Sequence, residues 1–262
     1  MTNRHRSATA ITALTCGAAL LGVVACTGLA AASGSGGEGD LAGESAQQIS
    51  DNALHELVTA QSLRLRTENT ADPTKLDLTL DRAGNCAGTI SRGTLGRIDL
   101  VKRGDQVWMK PDAAFWKSQL PGSRGTAAAD TFKDRYLHGT TDDPFLQQLS
   151  RACDLAGFQR QAAVPEHPPA PGATPAPALT KGAPTVQDGT RVLPLTRKND
   201  GATQTLYVAI DGPHYPRKLT AASDHETGTI LLSDFGRPVP VKIPAPGVTL
   251  DISALNEQMQ GT

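Results

Sequence analysis

Residues 63–81 read LRLRTENTADPTKLDLTLD, and the architecture follows from their alternation. Leu63 and Leu65 alternate with Arg64 and Arg66; Leu76, Leu78 and Leu80 alternate with Asp77, Thr79 and Asp81. Successive side chains of an extended chain point to opposite sides, so each run predicts a β-strand with one dry and one wet face. Gly84-Asn85 then separates the second run from another at Cys86 to Arg92. Ile98 and Leu100 follow, and Gly104-Asp105 turns the chain into Val107, Trp108 and Met109. Connections this short predict an antiparallel meander.

Before this meander, Ser45 followed by Gln48 forms a capping-box pattern. Ala46, Ile49, Ala53, Leu57 and Ala60 recur at helical spacing, which predicts one amphipathic helix over about Ala46–Ala60. Beyond the meander a short helix is expected from Asp130 to Leu137, with Phe132, Tyr136 and Leu137 inward. A second is expected from Pro144, capped by Asp142 or Asp143, with Phe145, Leu149, Ala152 or Cys153 and Ala156 on one stripe before Gly157 stops it. The seven prolines between Val164 and Pro184 predict an exposed loop, extended or disordered, and either an inert insertion or a site for a proline-recognising partner. Strands resume at Val192, Leu193 and Leu195, at Leu206, Val208 and Ile210, and at Ile230 and Leu232. Asp224-His225-Glu226 reads as a hairpin turn rather than an acid-base cluster. Val239, Val241 and Ile243 alternate with prolines and are expected at a sheet edge or in a polyproline-like segment. The order of helix, strands, helices and strands predicts an α+β protein.

Arg4, His5 and Arg6 precede an apolar stretch from Ile11 to Ala25, the pattern of a secretory signal too short to span a bilayer comfortably. It ends in Val23-Val24-Ala25-Cys26, which resembles a bacterial lipobox; Cys16, preceded by Thr15, fits less well. Residues 1–25 are thus expected to be a cleaved lipoprotein signal peptide and Cys26 a diacylglyceryl anchor; a soluble secreted protein cut elsewhere and an uncleaved membrane anchor are the weaker readings. Two acyl chains hold a protein on a membrane where one does not. The Gly-, Ala- and Ser-rich residues 27–43 read as a flexible tether, residues 44–253 as a single domain and residues 254–262 as a tail. The expected location is the outer face of the cell membrane.

Loss of Arg4 and Arg6 with the signal takes the net charge from -1 to -3, too little positive charge for a nucleic-acid partner. Aromatic residues make up only 4% of the chain, so any core or cavity is built from Leu, Val, Ile and Ala, and an aromatic sugar-stacking platform is not expected. In an oxidising compartment Cys86 and Cys153 are expected to form a disulfide; two buried free thiols and a metal site are the weaker readings. No cofactor is expected. No serine-nucleophile elbow, zinc-binding helix, P-loop or dinucleotide fingerprint occurs, and the six histidines are scattered, so the protein does not read as an enzyme. Trp108, Phe115 and Trp116 form the sole aromatic concentration, either a ligand-contacting rim or core packing.

Several stretches together resemble the actinobacterial envelope lipoproteins of the LolA-like and LppX/LprG type. They are the lipobox and tether, the first helix with Leu63 to Glu68, and Gly84-Asn85-Cys86-Ala87-Gly88-Thr89. Gly104-Asp105-Gln106-Val107-Trp108-Met109-Lys110 with Ala113-Ala114-Phe115-Trp116, and Ser233-Asp234-Phe235-Gly236-Arg237-Pro238-Val239, complete the set. The proline-rich insertion departs from the pattern. The resemblance implies a curved antiparallel sheet, an open half-barrel, with helices on its concave face around an apolar cavity that takes acyl chains of a lipid or glycolipid. The inward faces would then be Leu63, Leu65, Leu76, Leu78, Leu80, Ile98, Leu100, Leu206, Val208, Ile210, Ile230 and Leu232. The same sheet with a filled core would instead serve as an interaction or sensing module for another envelope protein.

Overall fold

The computed structural model describes residues 40–163, 177–199 and 201–253. The signal peptide, Cys26, the tether to residue 39, residues 164–176 of the proline-rich stretch and the tail 254–262 lie outside the described residues. Among those described, the helices are α1 (Ala46–Thr59), α2 (Ala113–Gln119), α3 (Ser123–Thr131), α4 (Pro144–Arg151) and α5 (Leu155–Ala163). The first strands are β1 (Ser62–Asn69), β2 (Thr74–Asp81), β3 (Cys86–Arg92), β4 (Arg97–Arg103), β5 (Gln106–Pro111) and β6 (Tyr136–Thr140). Then come β7 (Thr180–Lys181), β8 (Thr185–Gln187), β9 (Thr190–Asn199), β10 (Ala202–Ala209), β11 (Pro216–Ala222), β12 (Thr227–Ser233) and β13 (Thr249–Asp251).

All these strands belong to one sheet in the order β13-β6-β5-β4-β3-β2-β1-β12-β11-β10-β9-β7, with β8 also paired to β9. Every pairing is antiparallel except β13 with β6. The two ends do not meet, so the curved sheet stays unclosed, as the α+β half-barrel reading anticipates. Two meanders, β1 to β6 and β9 to β12, join where β1 lies beside β12.

Register builds the dry face. Leu63 stands opposite Leu80 and Leu65 opposite Leu78 on one side, and Leu65 stands opposite Leu232 and Thr67 opposite Ile230 on the other. Arg64 and Asp77 meet on the outer face in a bidentate pair with both contacts at 2.7 Å. The hydrogen bonds from Arg64 hold the Asp77 carboxyl below the usual carboxylate range. Helix α1 starts as its capping box dictates, with Gln48 N donating to Ser45 Oγ and Ser45 N to Gln48 Oε1. Ile49, Ala53 and Leu57 are buried on its inner stripe.

Several local expectations are corrected. The helix expected from Asp130 to Leu137 lies earlier, at Ser123–Thr131; Asp134 then takes a positive φ of 57° and the chain enters strand β6. Strand periodicity therefore puts Leu137 inside, opposite Met109, and Tyr136 on the outer face below Lys110. The helix expected from Pro144 to Gly157 is two helices. Asp143 caps the first, which ends at Arg151; Asp154 Oδ1 then accepts from Gly157 N at 2.8 Å, so this glycine opens α5 instead of stopping a helix. In α4 the inward residue is Leu146, fully buried, while Phe145 is exposed. Within the proline-rich stretch, Thr180–Lys181 is not loop but a short strand on β9. Helix α2, capped by Asp112, and strand β13 carried no recognised signal.

Cys86 and Cys153 are bonded, with Cα atoms 5.6 Å apart, and both are buried. The bond staples β3 to the turn between α4 and α5. Trp116 is buried against Phe132, and Trp108 stacks on His138 across the outer face of β5 and β6.

After β12 the chain runs without regular structure from Asp234 until Ala245 and returns to the sheet as β13. Pro238, Pro240 and Pro244 deny this stretch ladder donors, so the alternating valines do not form a strand. Gly236 N donates to Ser62 O at 3.0 Å, Ser62 Oγ to Arg237 O at 2.6 Å, and Arg135 Nη1 to Gly247 O at 3.0 Å. These bonds tie both ends of the strap to the sheet.

Candidate functional site

The buried apolar side chains fall into two clusters. The larger surrounds Leu63, Leu78, Leu80, Leu100, Met109 and Trp116; the smaller surrounds Ile49, Ala53, Leu195 and Val208. Leu54 of α1 packs against both. Between them lies a cavity of about 230 Å³, roofed by α1 and α5 and floored by β1, β2, β10, β11 and β12.

Its walls are Leu54, Leu57, Leu65, Leu76, Phe158, Ala162, Leu206, Pro216, Leu219, Ile230 and Leu232, with Ser50, Thr67, Thr74, Gln161 and Lys218 as the polar members. The Lys218 ammonium is occupied elsewhere, 5.4 Å from the Tyr207 ring centre and donating to Gln187 Oε1 at 3.4 Å. Thr67 Oγ1 accepts from Leu76 N at 3.2 Å. Among the α1 residues that line the space, Ser50 is the small one, beside Leu54 and Leu57.

The roof is pinned at one end. Gln159 of α5, buried although polar, donates from Nε2 to Leu57 O at 2.9 Å and to Ala60 O at 2.8 Å. Both carbonyls lie at the C-terminal end of α1, where intrahelical donors run out; among the described residues Leu57 O has besides only the Ala60 amide at 3.4 Å. Arg82 donates from Nε to Gln159 Oε1 at 3.0 Å and from Nη2 to Val58 O, fastening both helices to the β2–β3 hairpin.

Of the twelve inward residues named from sequence, Leu65, Leu76, Leu206, Ile230 and Leu232 line the cavity. Leu63, Leu78, Leu80, Ile98 and Leu100 are packed in the larger cluster, and Val208 and Ile210 belong to the smaller one. The helical wall of Leu54, Leu57, Phe158 and Ala162 was missed as part of the site. Leu57 stood on the predicted inner stripe of α1, but Phe158 and Ala162 fall after the glycine taken as a helix stop. Cys26 lies outside the described residues.

Two other gaps are polar. One, of about 530 Å³, lies between the strap and the outer face at Arg64, Asp77, Thr79, Arg97, Asp234 and Arg237. Its arginines are paired: Arg64 with Asp77, Arg97 with Asp99 and Arg237 with Asp234. The other, of about 290 Å³, lies beside Cys153, where Lys102 donates to Gly84 O at 2.7 Å. Burial pushes that ammonium below its ordinary pKa. Among the described residues no group of His, Cys, Asp and Glu could hold a metal ion, and no helix is long and apolar enough to cross a membrane.

No protein-family model and no curated protein matches the sequence. Solved structures do match. LprF from Mycobacterium bovis aligns with a TM-score of 0.51 at 12% identity, over 76% of this chain and 97% of LprF. The lipoprotein LppX of Mycobacterium tuberculosis aligns with a TM-score of 0.46 at 13% identity, over 78% of this chain and all of LppX. The chain shares the fold of LprF.

Proposed function

We propose that the protein is an envelope lipoprotein, held on the outer face of the cell membrane by acyl chains on Cys26, that binds a hydrocarbon chain of a lipid or glycolipid between α1, α5 and the sheet. The observation that carries this reading is the apolar cavity: its wall is aliphatic apart from Phe158, the neutral Ser50, Thr67, Thr74 and Gln161, and Lys218. The mechanism is desolvation. Each methylene moved from water to such a wall contributes ~0.8 kcal/mol, and no reactive group is needed. A volume of about 230 Å³ is below the roughly 300–1,000 Å³ of drug-sized ligand sites. It suits one hydrocarbon chain better than a multi-chain guest held wholly inside.

The test is native mass spectrometry of the purified protein. Wild type is expected to carry bound lipid, and Ala162→Trp, which fills the cavity from α5, is expected to lose at least about 90% of it while its circular dichroism stays unchanged. Lipid retained by the variant would move the binding elsewhere. A wild-type protein that is consistently empty would leave the filled-core interaction module as the better reading, with an envelope protein as partner.

The anchor is tested separately. Radiolabelled palmitate is expected to label wild type and not Cys26→Ala, and the variant is expected in the medium instead of the membrane fraction. A labelled Cys26→Ala would overturn that assignment.

A further inference from the structure

Among the described residues of the cavity wall, Ser50 is the member with a buried polar atom that has no protein partner. It lies on the inner stripe of α1, fully buried at 0% exposure, and it lines the cavity. Its Oγ makes no hydrogen bond, not even to the carbonyl one turn earlier that helical serines commonly use. A buried hydroxyl in this state destabilises the fold relative to alanine, which would keep the shape and favour the helix more. The neighbouring inward position one turn on is indeed alanine, Ala53.

Charge around the cavity narrows what such a hydroxyl can meet. Lys218 stands opposite Tyr207, one place off the inward Leu219–Leu206 pair, so its ammonium lies against the Tyr207 ring on the outer face of the sheet, and the remaining polar members of the wall, Thr67, Thr74 and Gln161, are neutral. A carboxylate carried inside would therefore be buried without a counter-charge, which is far more costly than burying a neutral oxygen that finds a hydrogen bond.

We propose that the guest carries a neutral oxygen, a hydroxyl or an ester carbonyl, that pairs with Ser50 inside the cavity. This rests on the lipid-binding reading above and deepens it: the guest is an acyl chain with an oxygen along its buried length, not a plain hydrocarbon tail. The oxygen has two possible sources, a hydroxylated mid-chain carbon or the ester linking the chain to its alcohol.

The experiment is competition among stearate, 12-hydroxystearate and monostearoylglycerol for the delipidated full-length protein, read by native mass spectrometry, with wild type and Ser50→Ala side by side. Wild type is expected to bind one of the two oxygen-bearing probes about three- to tenfold more tightly than stearate. A gain with 12-hydroxystearate assigns the oxygen to mid-chain, and a gain with monostearoylglycerol assigns it to the ester. Ser50→Ala is expected to erase the gain, with stearate as the reference probe in both proteins. Equal binding of all three probes by wild type, or a preference that survives in Ser50→Ala, would overturn the inference and leave lipid binding intact. Failure of wild type to take up any probe would overturn the lipid-binding reading itself and this inference with it.

Discussion

Replacing Cys86 and Cys153 together with alanine is expected to lower the stability of the folded domain by about 4 kcal/mol, and its melting temperature by about 10 °C. The first contribution comes from the unfolded chain. The bond closes a loop with a sequence separation of 67, and losing that closure returns the freedom it removed. The second comes from location. Both cysteines are buried in the larger apolar cluster, and the bond fastens strand β3 to the α4–α5 turn, from which α5 proceeds to roof the cavity. Thermal unfolding of the double variant against the oxidised wild type measures the effect. Alanine at both positions avoids unpaired thiols, and reduction of wild type should reproduce the shift. A melting temperature within about 2 °C of wild type would mean that the staple contributes nothing.

Gly88→Ala is expected to cost about 3–5 kcal/mol, although it adds a single methyl group. Gly88 sits in the middle of β3, paired with Leu78 on one side and Leu100 on the other. Its φ of 152° is a conformation that side chains rarely adopt, and a Cβ built there would stand 2.0 Å from the Asp77 carbonyl oxygen and 2.9 Å from Leu78 Cα. These are backbone atoms of β2, so no side-chain rotation makes room. The β2–β3 ladder would have to open, and with it the hairpin whose Arg82 holds the roof helices. Denaturant titration checks the figure. Gly104→Ala serves as the control, because its φ of 59° imposes strain with no atom within 4 Å of the added Cβ. A Gly88→Ala loss no larger than the control would show that β2 yields without penalty.

Most strands of the two meanders could be read from the chain because one face of each is dry: Leu63, Leu65, Leu78 and Leu80 alternate as the finished sheet requires. The first helix was legible because Ser45 and Gln48 satisfy the backbone groups at its start. Strand β6 was not, since Leu137 becomes a strand residue only through pairing with β5, and nothing local records that pairing. The α4–α5 break was hidden for a different reason. Gly157 is a common terminator, but here it donates its amide to the Asp154 cap at the start of a helix.

The candidate site was legible in composition and not in membership. Leu63 and Leu65 lie two positions apart on one strand with the same inward direction and both belong to the larger cluster, yet of the two only Leu65 also lines the cavity. What separates them is the space beneath Ser50, Leu54, Phe158 and Ala162 of α1 and α5, which Leu65 lines and Leu63 does not. That depends on tertiary placement, to which a leucine's own neighbours in sequence do not respond.

The seam between β1 and β12 carries a kinetic consequence. Each meander can zip locally, hairpin by hairpin, whereas the seam joins partners far apart in the chain, as in the bond from Thr227 N to Thr70 Oγ1 across 157 positions. Refolding should therefore show early protection of amides within each half and later protection along Arg64–Asn69 and Gly228–Ser233, because long-range pairing must first overcome the entropy of closing a large loop. Since Leu65, Ile230 and Leu232 flank that seam, the interior space would be the last part of the molecule to take shape.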